Sequence, residues 1–124
     1  MGARSHRPSA ILLCMKRMLM LAAIATVSSL IFSGCDAGCD FREVKDGLNN
    51  GPEPRCQERL GLQGFGFEAT CKGLGAKAVS GGCDMAGVVF GCDLGGGVTD
   101  WYYAPKTRAD AEQECGNDKI VEAP

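Results

Sequence analysis

Eight cysteines in a chain of 124 residues constrain the fold more than any other feature of the sequence. Such a density is typical of small exported domains that are held together by disulfides, or of metal–thiolate sites in a reducing compartment. The amino-terminal segment decides between the two classes, because it carries the signal that directs a chain to its compartment.

That segment has the layout of an export signal. Residues 18–32 form an uncharged apolar run that follows Lys16 and Arg17. A basic segment, a short apolar run and small residues are the parts of a signal peptide, and the run is short of the roughly 20 apolar residues of a membrane-spanning helix. We therefore predict a signal peptide at 15–34, with an uncleaved anchor helix as the alternative. If translation starts at Met15 and not at Met1, residues 1–14 are an upstream extension.

The run ends in Phe32-Ser33-Gly34-Cys35, which resembles the lipobox of bacterial lipoproteins. In that family a branched aliphatic residue, most often Leu, precedes two small residues and a cysteine, so Phe32 departs from the pattern and the other three residues match. The resemblance implies that Cys35 carries a diacylglyceryl group, that cleavage occurs just before it, and that the new amine is acylated. Two or more acyl chains anchor a protein stably.

The same resemblance implies a location in the cell envelope, facing the periplasm or the exterior. The membrane is then the partner, through covalent lipid on Cys35. Asp36 resembles a signal for retention at the inner membrane.

Cysteine parity agrees with this assignment. Removal of residues 1–34 and lipidation of Cys35 leave an even set of six cysteines, which allow three bridges in 15 connectivities. These disulfide candidates are Cys39, Cys56, Cys71, Cys83, Cys92 and Cys115. The sequence-local pairing Cys39–Cys56, Cys71–Cys83 and Cys92–Cys115 is our prediction, because a chain of this size buries a limited core and bridges compensate for it.

The pattern after Cys35 predicts a small α+β domain, stapled by disulfides, with a β-hairpin and two or three short helices. Residues 35–54 form the lipidated amino terminus, a short helix over 40–48 and a linker, and residues 55–124 form the cysteine-rich domain. In this domain we expect a helical turn over 55–60, a helix over 66–73 and a strand over 76–80. A hairpin over 88–94 and 98–103 turns at Gly95-Gly96-Gly97. Thr107 caps a helix over 108–115, and a last strand covers 119–122.

Two further patterns concern the carboxy-terminal part. The sequence contains a short internal repeat. In each copy a predicted helix with a cysteine is followed by glycine and then by a short strand, Lys77-Ala78-Val79 in the first copy and, after Cys115, Lys119-Ile120-Val121 in the second. This raises the hypothesis of a duplicated unit. From Cys71 onward the layout also resembles small cysteine-rich exported bacterial proteins without an established activity. The features that carry this resemblance are Cys83-Asp84-Met85-Ala86-Gly87 to Cys92, Trp101-Tyr102-Tyr103, and Thr107 through Ala111 to Cys115.

Charge and residue content exclude several functions for the segment 35–124. It holds nine Lys and Arg against 15 Asp and Glu, a net charge of −6, which argues against binding nucleic acid. It contains no histidine, which removes Ser-His-Asp and Cys-His catalysis. We expect no catalytic residue, no metal site and no cofactor. Asp84, Asp93 and Asp100 are interpreted as solvated carboxylates, with a calcium site as the weaker interpretation because no EF-hand spacing is present.

The predicted function is therefore a lipid-anchored envelope protein that acts as a non-enzymatic structural or interaction module, with a protein or glycan partner left open. One alternative is a ligand-binding or inhibitory module whose binding patch is Trp101, Tyr102 and Tyr103. Trp101 and Tyr103 should share one strand face and Tyr102 the other, and core packing is the more usual role of such residues in a small domain. A second, weaker alternative is a carboxylate-dependent hydrolase.

Overall fold

A computed structural model describes residues 35–44 and 51–124. In these ranges six strands form one sheet, namely β1 (Ala37–Asp40), β2 (Arg55–Arg59), β3 (Lys77–Ser80), β4 (Val88–Gly95), β5 (Val98–Tyr103) and β6 (Lys119–Glu122). Two short helices accompany the sheet, α1 (Phe67–Gly73) and α2 (Ala111–Cys115).

The strand order is β3-β1-β2-β5-β4-β6, and all neighbouring strands are antiparallel. The short strands β3 and β6 form the two edges of this sheet. The predicted α+β class and the disulfide-stapled architecture are confirmed, although the sheet dominates the fold more than the sequence indicated.

The carboxy-terminal elements form where residue pattern and turn chemistry agree. The predicted hairpin is β4 and β5, which turn at glycines whose positive φ angles suit a tight turn. The predicted helix over 66–73 corresponds to α1, and the helix over 108–115 is a 3-10 turn followed by α2. Thr107, the expected N-cap, forms a capping box with Asp110, in which the Thr107 backbone N–H donates to the Asp110 carboxylate at 2.6 Å.

The amino-terminal predictions are wrong for two elements. The helical turn expected over 55–60 is strand β2. Of the helix expected over 40–48, Asp40 is the last residue of β1 and Phe41–Glu43 form a 3-10 turn. The end of that predicted helix lies outside the described residues. Helical spacing failed for residues 55–59 because pairing with β1 and β5 satisfies their backbone, and this tertiary pairing outweighs their weak local preference.

The two halves of the domain repeat one topology. The N-terminal half consists of β1, β2, α1 and β3, and the C-terminal half of β4, β5, α2 and β6. In each half the strand after the helix pairs with the first strand, which also pairs with the second. The short repeat in the sequence therefore marks a structural repeat.

An approximate two-fold axis between the halves follows from the register. Cys39 lies opposite Gln57, and Cys92 lies opposite Asp100. Gln57 and Asp100 also face each other across the β2–β5 pair. The axis therefore passes between Gln57 and Asp100, and equivalent segments of the two halves lie at opposite ends of the sheet.

Three disulfides hold the described domain, and two of the three predicted pairings are wrong. Cys92–Cys115 is confirmed, whereas Cys39 pairs with Cys71 and Cys56 with Cys83. Sequence proximity misled the prediction because each helix is bridged to the first strand of its own half, and Cys39 and Cys71 are brought together by this packing across 32 positions.

Two separate cores lie under the two helices. The N-terminal core contains Cys39, Phe41, Val44, Phe67 and Cys71. The C-terminal core contains Phe90, Cys92, Tyr102, Ala111 and Cys115. The bridge Cys56–Cys83 belongs to the opposite face of the sheet, because Cys56 neighbours Gln57 in an alternating strand.

Candidate functional site

The three aromatic residues of the predicted binding patch are divided between the two faces of the sheet. Tyr102 is 8% exposed and stacks on Phe90, with ring centroids 4.9 Å apart. Tyr103 is 3% exposed, and its hydroxyl donates to the carbonyl oxygen of Asp84. Burial, with a further contribution from Asp100, raises the pKa of Tyr102 to about 12. Both tyrosines are therefore packing residues in this fold.

Trp101 is half-buried on the face of the sheet that carries no helix, and neighbouring groups of that face hold it in place. Its indole N–H donates to Oε1 of Glu58 at 3.3 Å, and Oε2 of the same carboxylate accepts from the backbone N–H of Cys83 at 3.0 Å. The ring lies directly over Gly91, where an added Cβ would come within 2.6 Å of it. Of the predicted patch, only Trp101 retains a partly exposed surface.

A polar seam separates the two cores on the helix-bearing face, and it consists of Arg55, Gln57, Arg59 and Asp100. Arg59 donates to the amide oxygen of Gln57, and the Gln57 amide nitrogen donates to Oδ1 of Asp100 at 3.0 Å. Arg55 reaches the same Asp100 oxygen at 3.3 Å. Burial lowers the pKa of Arg55, but the charges of Asp100 and Glu53 outweigh it, so the pKa lies above its usual value.

The carboxylates weighed for calcium binding are engaged in separate places. Asp84 accepts from the backbone N–H of Ala86, and Asp93 from that of Gly95. Asp100 belongs to the polar seam. Within residues 35–44 and 51–124, the structure brings together no group of three or more His, Cys, Asp or Glu side chains that would hold a metal ion.

The lipidation candidate Cys35 lies at the start of the described domain, against the loop that follows β2. Oδ1 of Asp36 accepts a hydrogen bond from the backbone N–H of Gly61 at 2.7 Å. Gly64 is buried against Cys35, and an added Cβ would lie 1.9 Å from the Cys35 carbonyl oxygen. Residues 35 and 36 and the 3-10 turn Gly61–Gly64 therefore form one fixed unit.

The sulfur of Cys35 has a partner in this chain. Cys35 is disulfide-bonded.

Four exposed apolar side chains lie at the same end of the sheet as this unit. Leu60, Leu62, Phe65 and Leu94 are between 43% and 56% exposed, and we call these four residues the apolar end. The backbone N–H of Leu60 donates to Gly97 at 2.8 Å, which joins the loop after β2 to the hairpin turn that follows Leu94. Leu74, 38% exposed, is the remaining exposed large apolar residue of the described part and lies at the other end of the sheet, before β3.

Sequence reasoning missed the apolar end. The signal that marks it is the absence of charge, since residues 60–67 and 94–98 contain no Asp, Glu, Lys or Arg. The two segments become one surface only through the sheet register, which places Arg59 opposite both Ala37 and Val98.

The chain matches no protein-family model, no curated protein and no solved structure. Among the described helices, none has the length and the apolar character needed to cross a membrane.

Proposed function

We propose that the chain is the precursor of a lipid-anchored protein of the bacterial cell envelope, and that its domain acts there as a non-enzymatic structural or interaction module. The observation that carries the proposal is the segment Lys16 to Cys35, with its basic pair, apolar run and lipobox-like end. Three disulfides in the described domain suit an oxidising compartment and therefore an exported protein.

The position of Cys35 at the edge of the fold supports cleavage at this point. Strand β1 begins at Ala37, so that a cut before Cys35 removes none of the described strands, helices or bridges. Asp36, the proposed retention signal for the inner membrane, keeps its hydrogen bond to Gly61 in the mature chain.

The proposal requires the sulfur of Cys35 to be available for a thioether bond. A thioether to diacylglycerol and the disulfide bond of the 124-residue chain exclude each other, because both use the same sulfur atom. Lipid transfer must therefore reach the Cys35 thiol before this disulfide forms. The mass of the mature protein distinguishes the two states.

The test is the intact mass of membrane-extracted protein, measured with and without reduction before alkylation. We expect a chain that begins at Cys35, carries diacylglycerol and an amide-linked acyl group, and takes up alkylating agent at six cysteines only after reduction. A chain that retains residues upstream of Cys35, or that lacks lipid, would overturn the proposal.

Two variants give matched controls in the same host. Cys35→Ser should abolish incorporation of labelled palmitate and release the protein from the membrane, whereas Phe32→Leu restores the usual lipobox residue and should process at least as fast as the natural chain. A gene that starts at Met15 should yield the same mature mass.

The ligand-binding alternative depends on Trp101, because both neighbouring tyrosines are buried. Strong quenching of its fluorescence by acrylamide, relieved by a glycan or protein ligand, would favour this alternative over packing against Glu58 and Gly91.

A further inference from the structure

The apolar end requires an explanation, because four neighbouring large apolar side chains at one end of a small domain are unusual on a surface exposed only to water. Isolated exposed leucines need none. These residues, however, share one end of the sheet and belong to two segments without Asp, Glu, Lys or Arg, while the net charge of residues 35–124 is −6.

The fold itself does not force this exposure. Under the two-fold relation, Leu94 of the C-terminal half corresponds to Phe41 of the N-terminal half. Phe41 is 5% exposed and lies beneath the guanidinium of Arg55, 4.3 Å from the ring centroid. The same position of the repeat is therefore covered at one end of the sheet and left open at the other, which is the end where Cys35 lies.

The two loops that connect a second strand to its helix differ in the same way. In the N-terminal half this loop is Leu-Gly-Leu-Gln-Gly-Phe-Gly, residues 60–66. In the C-terminal half it is Ala-Pro-Lys-Thr-Arg-Ala-Asp, residues 104–110, and it carries three charges. The axis places the uncharged loop beside Cys35 and the charged loop at the far end of the sheet.

We propose that the apolar end is a bilayer-contact surface, in which Leu62 and Phe65 enter the boundary between head groups and acyl chains. This inference rests on the proposed function, since it takes Cys35 as the point where the domain joins the membrane. The hydrogen bond from Gly61 to Asp36 and the close contact of Gly64 with Cys35 fix the loop to that point. An anchor at residue 35 therefore holds these side chains at the surface of the bilayer.

The chemistry of the two loops suits this environment. Apolar side chains of surface-bound segments are buried about 5–10 Å into the head group and acyl boundary, and a charged neighbour would oppose that burial. Residues 60–67 and 94–98 carry no charge. The long axes of the strands then lead away from the membrane, and the loop 104–110 faces the aqueous compartment.

Quenching of tryptophan fluorescence by brominated lipid tests the inference. Phe65→Trp and Leu74→Trp are made separately in the full chain, and each processed protein is reconstituted into phosphatidylcholine vesicles with brominated or unbrominated acyl chains. Both sites are exposed, so both changes should be accepted, and Trp101 contributes the same background as in the natural chain. Leu74, at the opposite end of the sheet, is the matched control.

We expect brominated lipid to remove additional emission from the Phe65→Trp variant and none from the Leu74→Trp variant, relative to the natural chain. Equal quenching of the two variants, or none in either, would overturn the bilayer-contact surface. Emission of Phe65→Trp that is shielded from both brominated lipid and acrylamide would also overturn it, because a second copy of the chain would then cover the surface.

Mass spectrometry of the same samples separates this inference from the proposed function. Lipid on Cys35 without quenching at position 65 leaves the anchor standing and removes the contact surface. Quenching at position 65 in a chain without lipid contradicts the lipid anchor and supports the contact surface. An uncleaved apolar segment would then bring the same surface to the membrane.

Discussion

The N-terminal and C-terminal halves fill the space between helix and sheet in different ways, because the large side chain comes from the helix in one half and from the strand in the other. In the N-terminal half the large side chain comes from the helix, Phe67, and packs near Ala37 of the strand. In the C-terminal half the large side chain comes from the strand, Phe90, and packs against Ala111 of the helix. Aligned on their bridged cysteines, the two halves place Phe67 at the position of Ala111 and Ala37 at that of Phe90.

The comparison teaches which features a duplicated unit must keep. Both halves keep the strand order and the bridge from helix to first strand. Each half also keeps one large ring between helix and first strand, although the ring comes from the helix in one half and from the strand in the other. The loops are free of that constraint, and they have diverged into an uncharged end and a charged end.

The largest expected effect follows from removing the ring that fills each half. Phe67→Ala and Phe90→Ala should each lower the free energy of unfolding by about 3–5 kcal/mol, because each ring is buried and leaves a cavity. If the halves are complementary, Phe90→Ala combined with Ala111→Phe should recover part of the loss. Chemical denaturation of the natural protein, of Phe90→Ala, of Ala111→Phe and of the double variant measures the coupling between the two positions.

The control for this cycle is Ala111→Phe alone, which should overpack the C-terminal core and cost about 1–3 kcal/mol. Strictly additive losses in the double variant would show that the two positions do not share one space, and the comparison of the halves would fail.

Removal of the equivalent bridges should have the next largest effect. The bridges Cys39–Cys71 and Cys92–Cys115 close loops of 32 and 23 positions. Replacing both cysteines of a bridge by alanine removes it. Each pair of substitutions should cost about 3–4 kcal/mol, and loop entropy makes the two losses differ by only about 0.3 kcal/mol. Urea unfolding measures both, and a large inequality would mean that the halves are not energetically equivalent.

Alkaline pH should act on the C-terminal half. The unfolded chain releases the phenolic proton of Tyr102 near its ordinary pKa of 10.0, whereas burial raises the folded pKa to about 12. A raised folded pKa contributes stability below pH 10 that is lost as pH rises toward 12. The loss is at most about 3 kcal/mol, since one pKa unit corresponds to about 1.4 kcal/mol.

Unfolding measured between pH 9 and 12 tests this effect. Tyr102→Phe should flatten the alkaline slope without removing it, because burial also raises the pKa of Tyr103. The N-terminal half has Arg59 at the position of Tyr102, stacked 4.0 Å from the centroid of Phe67, and no phenol to ionise. An unchanged slope in Tyr102→Phe would contradict the assignment.

The smallest expected effect on stability concerns Gly38 and Gly91, the glycines that directly precede the bridged cysteines of β1 and β4. An added Cβ at Gly38 would meet the backbone of Gly82 at 2.9 Å, whereas one at Gly91 would meet the ring of Trp101 at 2.6 Å. Gly38→Ala and Gly91→Ala should each cost about 1–3 kcal/mol through overpacking. Only Gly91→Ala should shift the emission of Trp101, because it displaces the indole from Glu58.

A second substitution distinguishes the two obstacles. Trp101→Leu should reduce the cost of Gly91→Ala and leave that of Gly38→Ala unchanged. Equal rescue of both glycine variants would mean that Trp101 acts through overall stability and not by direct contact.

The elements that sequence reasoning predicted are those in which local preference and tertiary role agree. β4 and β5 have β-branched and aromatic residues around a glycine turn, and the helix over 108–115 has a capping box. β2 is different because Arg55–Arg59 carries polar residues on both faces, although it lies at the centre of the sheet. The polar seam explains this pattern, but its partner Asp100 is remote in the sequence.

The site was predictable only in part. The resemblance to a lipobox predicts lipidation of Cys35 from local residues alone, whereas the apolar end depends on strand register. No local pattern indicates that Leu60 meets the turn after Leu94, since a hydrogen bond to Gly97 joins them across the sheet. The bridge Cys39–Cys71 escaped prediction for the same reason, because β1 itself was not expected.

The two edges of the sheet have a consequence for molecules that share a membrane. Copies anchored by lipid as proposed would diffuse in a plane, where strand edges meet far more often than in free solution. β3 and β6 each span only four residues, and each begins with an exposed lysine, Lys77 or Lys119. Short edges that bear lysine discourage pairing between sheets, so neighbouring copies should remain separate even at high surface density.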